Sequence, residues 1–147
     1  MSIGNIDGQG ANIVTKAFIL TSLSLLSVLS LSSPSLGFEI AGAWANKVSS
    51  CRQVFQKTAR GISFAKNSDA FGNGFIVEGD QIKGRIAVCK IKRRKQDGAT
   101  LHLISSCATS VAFESVQFTL KFIDESKIVQ IFPGVPELEV SYERCVL

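Results

Sequence analysis

The chain has 147 residues, 46% of them hydrophobic and 19% charged, with a formal net charge of +4. An excess this small sets solubility and weak steering, and it does not identify a nucleic-acid binder. The single histidine, His102, excludes a multi-histidine metal site.

The first recognisable element is a hydrophobic leader. Lys16 precedes the serine-laced apolar run from Ala17 to Ser33, and Pro34-Ser35-Leu36-Gly37 follows. A charge, an apolar stretch and small residues at Ser35 and Gly37 read as a secretory signal cleaved between Gly37 and Phe38. The competing reading is a membrane anchor, which takes roughly 20 apolar residues. Thr21 and several serines dilute this run, and no Lys/Arg cluster follows it as a stop signal. The stretch before Lys16 is long and polar for a leader and carries Asp7, which suggests a start further downstream, although no second Met marks one. No cysteine stands at the junction to take a lipid. The expectation is a cleaved leader over 1–37 and one mature domain over 38–147, about 110 residues long, periplasmic or extracellular and without stable membrane insertion.

Cys51, Cys89, Cys107 and Cys145 all follow the leader. Cysteines in an exported chain read as two disulfides, each contributing about 2–4 kcal/mol to a domain with a modest core.

Beyond the leader the dominant period is two. Val116, Phe118, Leu120 and Phe122 alternate with Gln117, Thr119 and Lys121; Leu138, Val140 and Tyr142 alternate with Glu137, Glu139, Ser141 and Glu143. Both patterns describe half-buried strands. Ile82, Ile86 and Val88 alternate likewise with Lys83, Arg85 and Ala87, with Gly84 as a candidate bulge. The slip between Phe113 and Val116 suggests a bulge near Glu114-Ser115. Turn signals at Asn67-Ser68-Asp69, Gly72-Asn73-Gly74, Glu78-Gly79-Asp80, Gln96-Asp97-Gly98, Asp124-Glu125-Ser126 and Pro133-Gly134-Val135-Pro136 separate the runs. The expected strands are 39–45, 53–57, 61–66, 73–78, 81–95, 99–107, 110–123, 127–132 and 137–145, with a helical turn at 46–52. Short strands joined by hairpins predict an all-β fold: an antiparallel up-and-down barrel of about eight strands, with a β-sandwich as the alternative.

Centring a hairpin on Asp97-Gly98 sets Cys89 nearly opposite Cys107. Cys51 follows the first strand and Cys145 ends the last, which are neighbours in a closed meander. The expected pairs are therefore Cys89–Cys107 and Cys51–Cys145. Side-chain parity does not fit the first pair if Val88 points inward, so a bulge is required.

On period two, Ile40, Gly42 and Trp44 share a face, and Leu138, Val140, Tyr142 and Arg144 share another. Arg144 thus falls on an apolar face, where its charge needs partners. The Trp44 ring is one such partner, through cation–π stacking. A Gly-x-Trp on the first strand and an Arg on the last resemble the signature of the calycins, which include lipocalins, avidins and small bacterial metalloprotease inhibitors. The short mature length and the exported context are most similar to the small periplasmic members. The resemblance covers the two ends of the domain and implies that Gly42, Trp44 and Arg144 close the barrel and bind nothing. Tyr142-Glu143-Arg144-Cys145 also resembles the ending of exported C-type lysozyme inhibitors. Their Ser-Gly-x-x-Tyr segment has no counterpart, because Tyr142 is the only tyrosine.

Lys90, Lys92, Arg93, Arg94 and Lys95 approach the Asp97-Gly98 turn. They read either as a contact for an acidic partner, such as an envelope protein or an anionic surface, or as a solvated tip that protects a sheet edge. The interleaved aromatics of single-strand nucleic-acid binders are missing there. Catalysis finds no motif. The cysteines lack Cys-x-x-Cys spacing, Ser105 and Ser106 near His102 form no nucleophile motif, and Asp80, Asp97 and Glu114 form no spaced pair. His102, between Leu101 and Leu103, reads as a surface residue. No catalytic residue, metal or cofactor is expected.

The expected function is that of an exported, non-enzymatic binding protein that modulates or inhibits an envelope macromolecule through loops at the barrel mouth. The alternative is a carrier of a small apolar ligand. Phe55, Phe64, Phe71, Phe75, Phe113, Phe118, Phe122 and Phe132 favour a filled core and hence the first reading. A pocket of several hundred Å³ would favour the carrier.

Overall fold

The structure is a computed structural model that describes residues 37–135 and 137–147. The leader up to residue 36 lies outside the described residues, and none of the described helices is long and apolar enough to cross a membrane.

Ten strands follow in order: β1 (Gly42–Ala45), β2 (Phe55–Thr58), β3 (Gly61–Phe64), β4 (Gly74–Glu78), β5 (Gln81–Lys83), β6 (Val88–Asp97), β7 (Thr100–Ala108), β8 (Phe113–Phe122), β9 (Lys127–Ile131) and β10 (Glu139–Cys145). Eight of them close an antiparallel barrel in the order β1-β10-β9-β8-β7-β6-β5-β4, with β4 returning to β1. The up-and-down barrel is therefore the fold, and the sandwich is not. The expected helical turn is present as a 3₁₀ turn, Val48–Ser50, running into α1 (Cys51–Val54).

The excursion between β1 and β4 does not join the wall. Instead β2 and β3 pair only with each other and form, with α1, a second layer outside the barrel. Ala43, Ala45 and Ile76, which point out of β1 and β4, are buried beneath it with Val54, Phe55 and Cys51. Phe55 and Phe64 thus belong to this outer cluster, with rings 5.3 Å apart, and not to the barrel interior. Close approach sets a glycine here. A Cβ on Gly74 would stand 2.4 Å from the Trp44 carbonyl oxygen and 2.6 Å from Phe55 Cζ.

Three readings of side-chain direction need correction. The expected strand 81–95 is two strands joined by a hairpin, in which Gly84 N–H donates to Ala87 O at 2.8 Å. Alternation cannot be counted through a turn, so Ile86 is 84% exposed, Val88 faces outward and Cys89 faces inward. The second correction concerns β8, which pairs with β7 in unbroken register from Phe113 to Lys121, with no bulge at Glu114-Ser115. The apparent slip arises because Phe113 points out of the barrel and is 76% exposed. Third, Phe71 is also exposed, so the phenylalanines do not all fill the core.

The outward direction of Val88 removes the parity conflict at Cys89–Cys107, and a bulge in β6 sets the register of the pair. Register shifts between Ile91 and Arg93, leaving Lys92 as the extra residue. Counting back from the Asp97↔Thr100 pair without it would set Cys89 against Ala108. The extra residue sets it against Cys107 instead. Both expected disulfides form, Cys89–Cys107 across one hairpin and Cys51–Cys145 from α1 to β10.

Candidate functional site

Strand direction gives the barrel two distinct ends. Phe38–Ala41 leads into β1 at the base, where the β4–β5, β6–β7 and β8–β9 turns also lie. At the mouth are the β5–β6, β7–β8 and β9–β10 turns and the two ends of the excursion between β1 and β4, whose β2–β3 turn reaches back along the outside to Glu78.

The base is closed by Arg144, which is level with Trp44 on the neighbouring strand. Its guanidinium lies 4.4 Å from the Trp44 ring centroid. Arg144 Nη1 donates to Ala41 O at 2.6 Å, Nε donates to Glu125 O at 2.9 Å, and Nη2 donates to Glu39 O. Trp44 is fully buried, and its indole N–H donates to Ile40 O at 2.8 Å. A half-buried cation on an apolar face is thereby satisfied by carbonyls and a π face together. Gly42, at φ 117°, adopts a conformation that only glycine takes readily, and it brings the entering chain under Arg144. Phe38 then stacks on Phe122 with centroids 4.6 Å apart.

The interior is mostly filled. Toward the mouth it leaves a cavity of about 210 Å³, lined by Phe75, Ile82, Cys89, Phe118, Leu120 and Tyr142 among others. Its polar pair is Gln130 and Tyr142, whose hydroxyl lies 3.5 Å from Gln130 Oε1. Burial raises the Tyr142 pKa above its ordinary value. Ser105 points inward and is fully buried, and its hydroxyl has no partner among the described residues.

The mouth carries a feature that sequence reading missed. Large apolar side chains are exposed in several places among the described residues, Ile123 after β8 and Val146 after β10 included, but the mouth gathers Phe71, Ile86, Val111, Phe113, Val135 and Leu138. Each lies in or beside a connection at this end. Arg85 helps to hold that rim. Its Nη2 donates to Ser68 O at 2.7 Å and to Gly72 O, and its guanidinium lies 5.8 Å from the Phe64 ring centroid. It thus ties the β5–β6 turn to the segment before β4. The available signal was an apolar residue inside a turn, Ser110-Val111-Ala112, where solvent exposure is the rule.

The basic run does not lie at the mouth. Lys92, Arg93, Arg94 and Lys95 are exposed on the part of β6 that runs toward the base, while Lys90 meets Asp80 at 3.6 Å. His102 stands on the outer wall, with Nδ1 3.4 Å from Thr119 Oγ1. Ser105, three residues on, points into the barrel, so the two face opposite sides of β7.

No protein-family model matches this chain, and neither a curated protein nor a solved structure matches it.

Proposed function

We propose that this chain is an exported, non-enzymatic binding protein of calycin-like build, and that it modulates or inhibits a macromolecule of the cell envelope through its mouth loops. The observation that carries this reading is the apolar rim: Ile86, Val111 and Phe113 are 84%, 92% and 76% exposed on adjacent loops at one end of a closed barrel. Exposed apolar surface gathered in one place marks interaction sites on soluble domains. The two disulfides support an oxidising compartment, as the hydrophobic leader does. The stacking of Arg144 on Trp44 supports the calycin likeness and leaves these residues a structural role.

The test is a triple variant, Ile86→Ser, Val111→Ser and Phe113→Ser. Its unfolding midpoint should match the parent, and a partner crosslinked to the parent protein in envelope extract should no longer be captured. Equal capture by both proteins sinks the reading.

One observation favours the second reading, a carrier. The interior cavity of about 210 Å³ is walled mainly by apolar side chains. That is below the roughly 300–1,000 Å³ of drug-sized sites, yet more than the approximately 150 Å³ that suffices for a benzene-sized guest. A carrier should gain thermal stability in proportion to the logarithm of apolar ligand concentration. No gain across a panel of small aromatic and aliphatic ligands removes this reading.

A further inference from the structure

On the side of β6 away from β7, the strand outruns its neighbour. Pairing with β5 stops at Lys90, and Ile91 N–H makes one further bond to Asp80 O at 2.7 Å. From Arg93 to Asp97, β6 pairs with β7 alone, and Lys92 is the unpaired bulge residue. Among the described residues its other edge is bare. A paired strand still directs alternate N–H and C=O groups outward, so this edge is a template for one more strand.

The side chains decide which strand it accepts. Lys92, Arg93, Arg94 and Lys95 are exposed, and none of them forms an ion pair among the described residues. A second copy of this chain added edge to edge would set these cations against one another, and like charges across a ladder repel. An acidic strand reverses the sign. Arg93 and Lys95 stand level with Ile104 and His102 on the outer wall. A strand laid along the edge would direct every second side chain to that outer face.

We propose that the free edge of β6 binds an extended acidic peptide segment by strand addition, with alternate Asp or Glu side chains facing Arg93 and Lys95. The backbone ladder gives affinity and the alternate charges give selectivity. The site lies away from the mouth rim, so it stands or falls apart from the function proposed above.

The test titrates the full chain with a labelled peptide of about six residues, a common strand length, alternating Glu with Val. Binding should weaken as salt rises, and amide exchange should slow along 92–97. The same peptide N-methylated on its ladder-facing amides keeps every charge and loses the backbone bonds; its affinity should fall by about tenfold or more. Arg93→Glu with Lys95→Glu should weaken the unmodified peptide by at least about tenfold. The milder Arg93→Gln with Lys95→Gln serves if the reversal does not fold. Absence of binding by the unmodified peptide overturns the proposal. So does equal binding of the N-methylated one, which would assign the run to polyanions in general.

Discussion

Arg144 turns one guanidinium toward three carbonyls, those of Glu39, Ala41 and Glu125, while its face lies on Trp44. Removing the ring leaves a cavity against the guanidinium and strips its π partner. Trp44→Ala should therefore destabilise by about 3–5 kcal/mol in urea unfolding. Arg144→Ala should cost about 1–3 kcal/mol, because it removes packing and unpairs carbonyls. Lysine should rescue little of that, since its ammonium lacks the planar fork that reaches diverging acceptors. This contact was legible in the sequence for a simple reason: period two holds along an uninterrupted strand, and the first and last strands of a closed meander are neighbours. The disulfide partners were legible on similar grounds, from the position of Gly98 at a hairpin tip. The direction of Ile86 was not. Gly84 alone marks the turn centred on Arg85-Ile86, and a lone glycine in an alternating run reads equally as a bulge, so the alternation ran on through the reversal.

At the scale of elements, what separates this barrel from a plain meander is the layer over β1 and β4. Its signal was present but faint. Ala43 and Ala45 stand where a wet face would carry polar residues, and Ile76 and Val77 are consecutive apolar residues, as in strands buried on both sides. Alternation identifies strands; it does not say which of them build the wall and which cover it. Ala43→Lys should thus destabilise by about 3 kcal/mol or more, because it forces an unpaired charge beneath the hairpin. Ser141→Lys, outward and exposed on β10, should stay within about 0.5 kcal/mol. Both are read from denaturant midpoints.

Two turns at the base also make stability depend on pH. The Lys83 ammonium, 2.5 Å from Glu78 across the β4–β5 hairpin, holds the Glu78 carboxyl below its usual range. In the β8–β9 turn, the Ser126 hydroxyl and N–H donate to Asp124 and lower its pKa. A depressed carboxylate binds fewer protons folded than unfolded, so its contribution is present above the unfolded pKa and is lost as pH falls through the folded one. Stability should therefore decline on acidification through and below the ordinary carboxylate range. Glu78→Gln with Asp124→Asn should flatten that slope, as followed by thermal melts across an acid pH series.

For the whole molecule, the two crosslinks act over very different spans. Cys51–Cys145 has a sequence separation of 94 and Cys89–Cys107 one of 18. On loop-closure entropy the longer contributes about 5 kcal/mol and the shorter about 3 kcal/mol. Replacing Cys51 and Cys145 by alanine should accordingly lower the melting temperature more than replacing Cys89 and Cys107. Equal losses would mean that local packing outweighs chain entropy. The fold class was legible at this scale because closely spaced turn signals and period-two runs leave few architectures. The mouth rim was not, because exposure of Phe113 or Val111 follows from where a loop projects after closure, which no local pattern records.

The placement of β1 between β4 and β10 has a consequence in time. A chain emerging N-terminus first can pair β1 with β4 early, but its other edge waits until β10 appears. Throughout that interval Cys51 has no native partner, while Cys89 and Cys107 come together as soon as their hairpin turns. Early oxidation of that local pair removes the two thiols that would otherwise capture Cys51. The hairpin disulfide, the lesser of the two in the finished molecule, should therefore form first and keep Cys51 available for the last strand of the barrel, an order that thiol trapping during oxidative refolding would read.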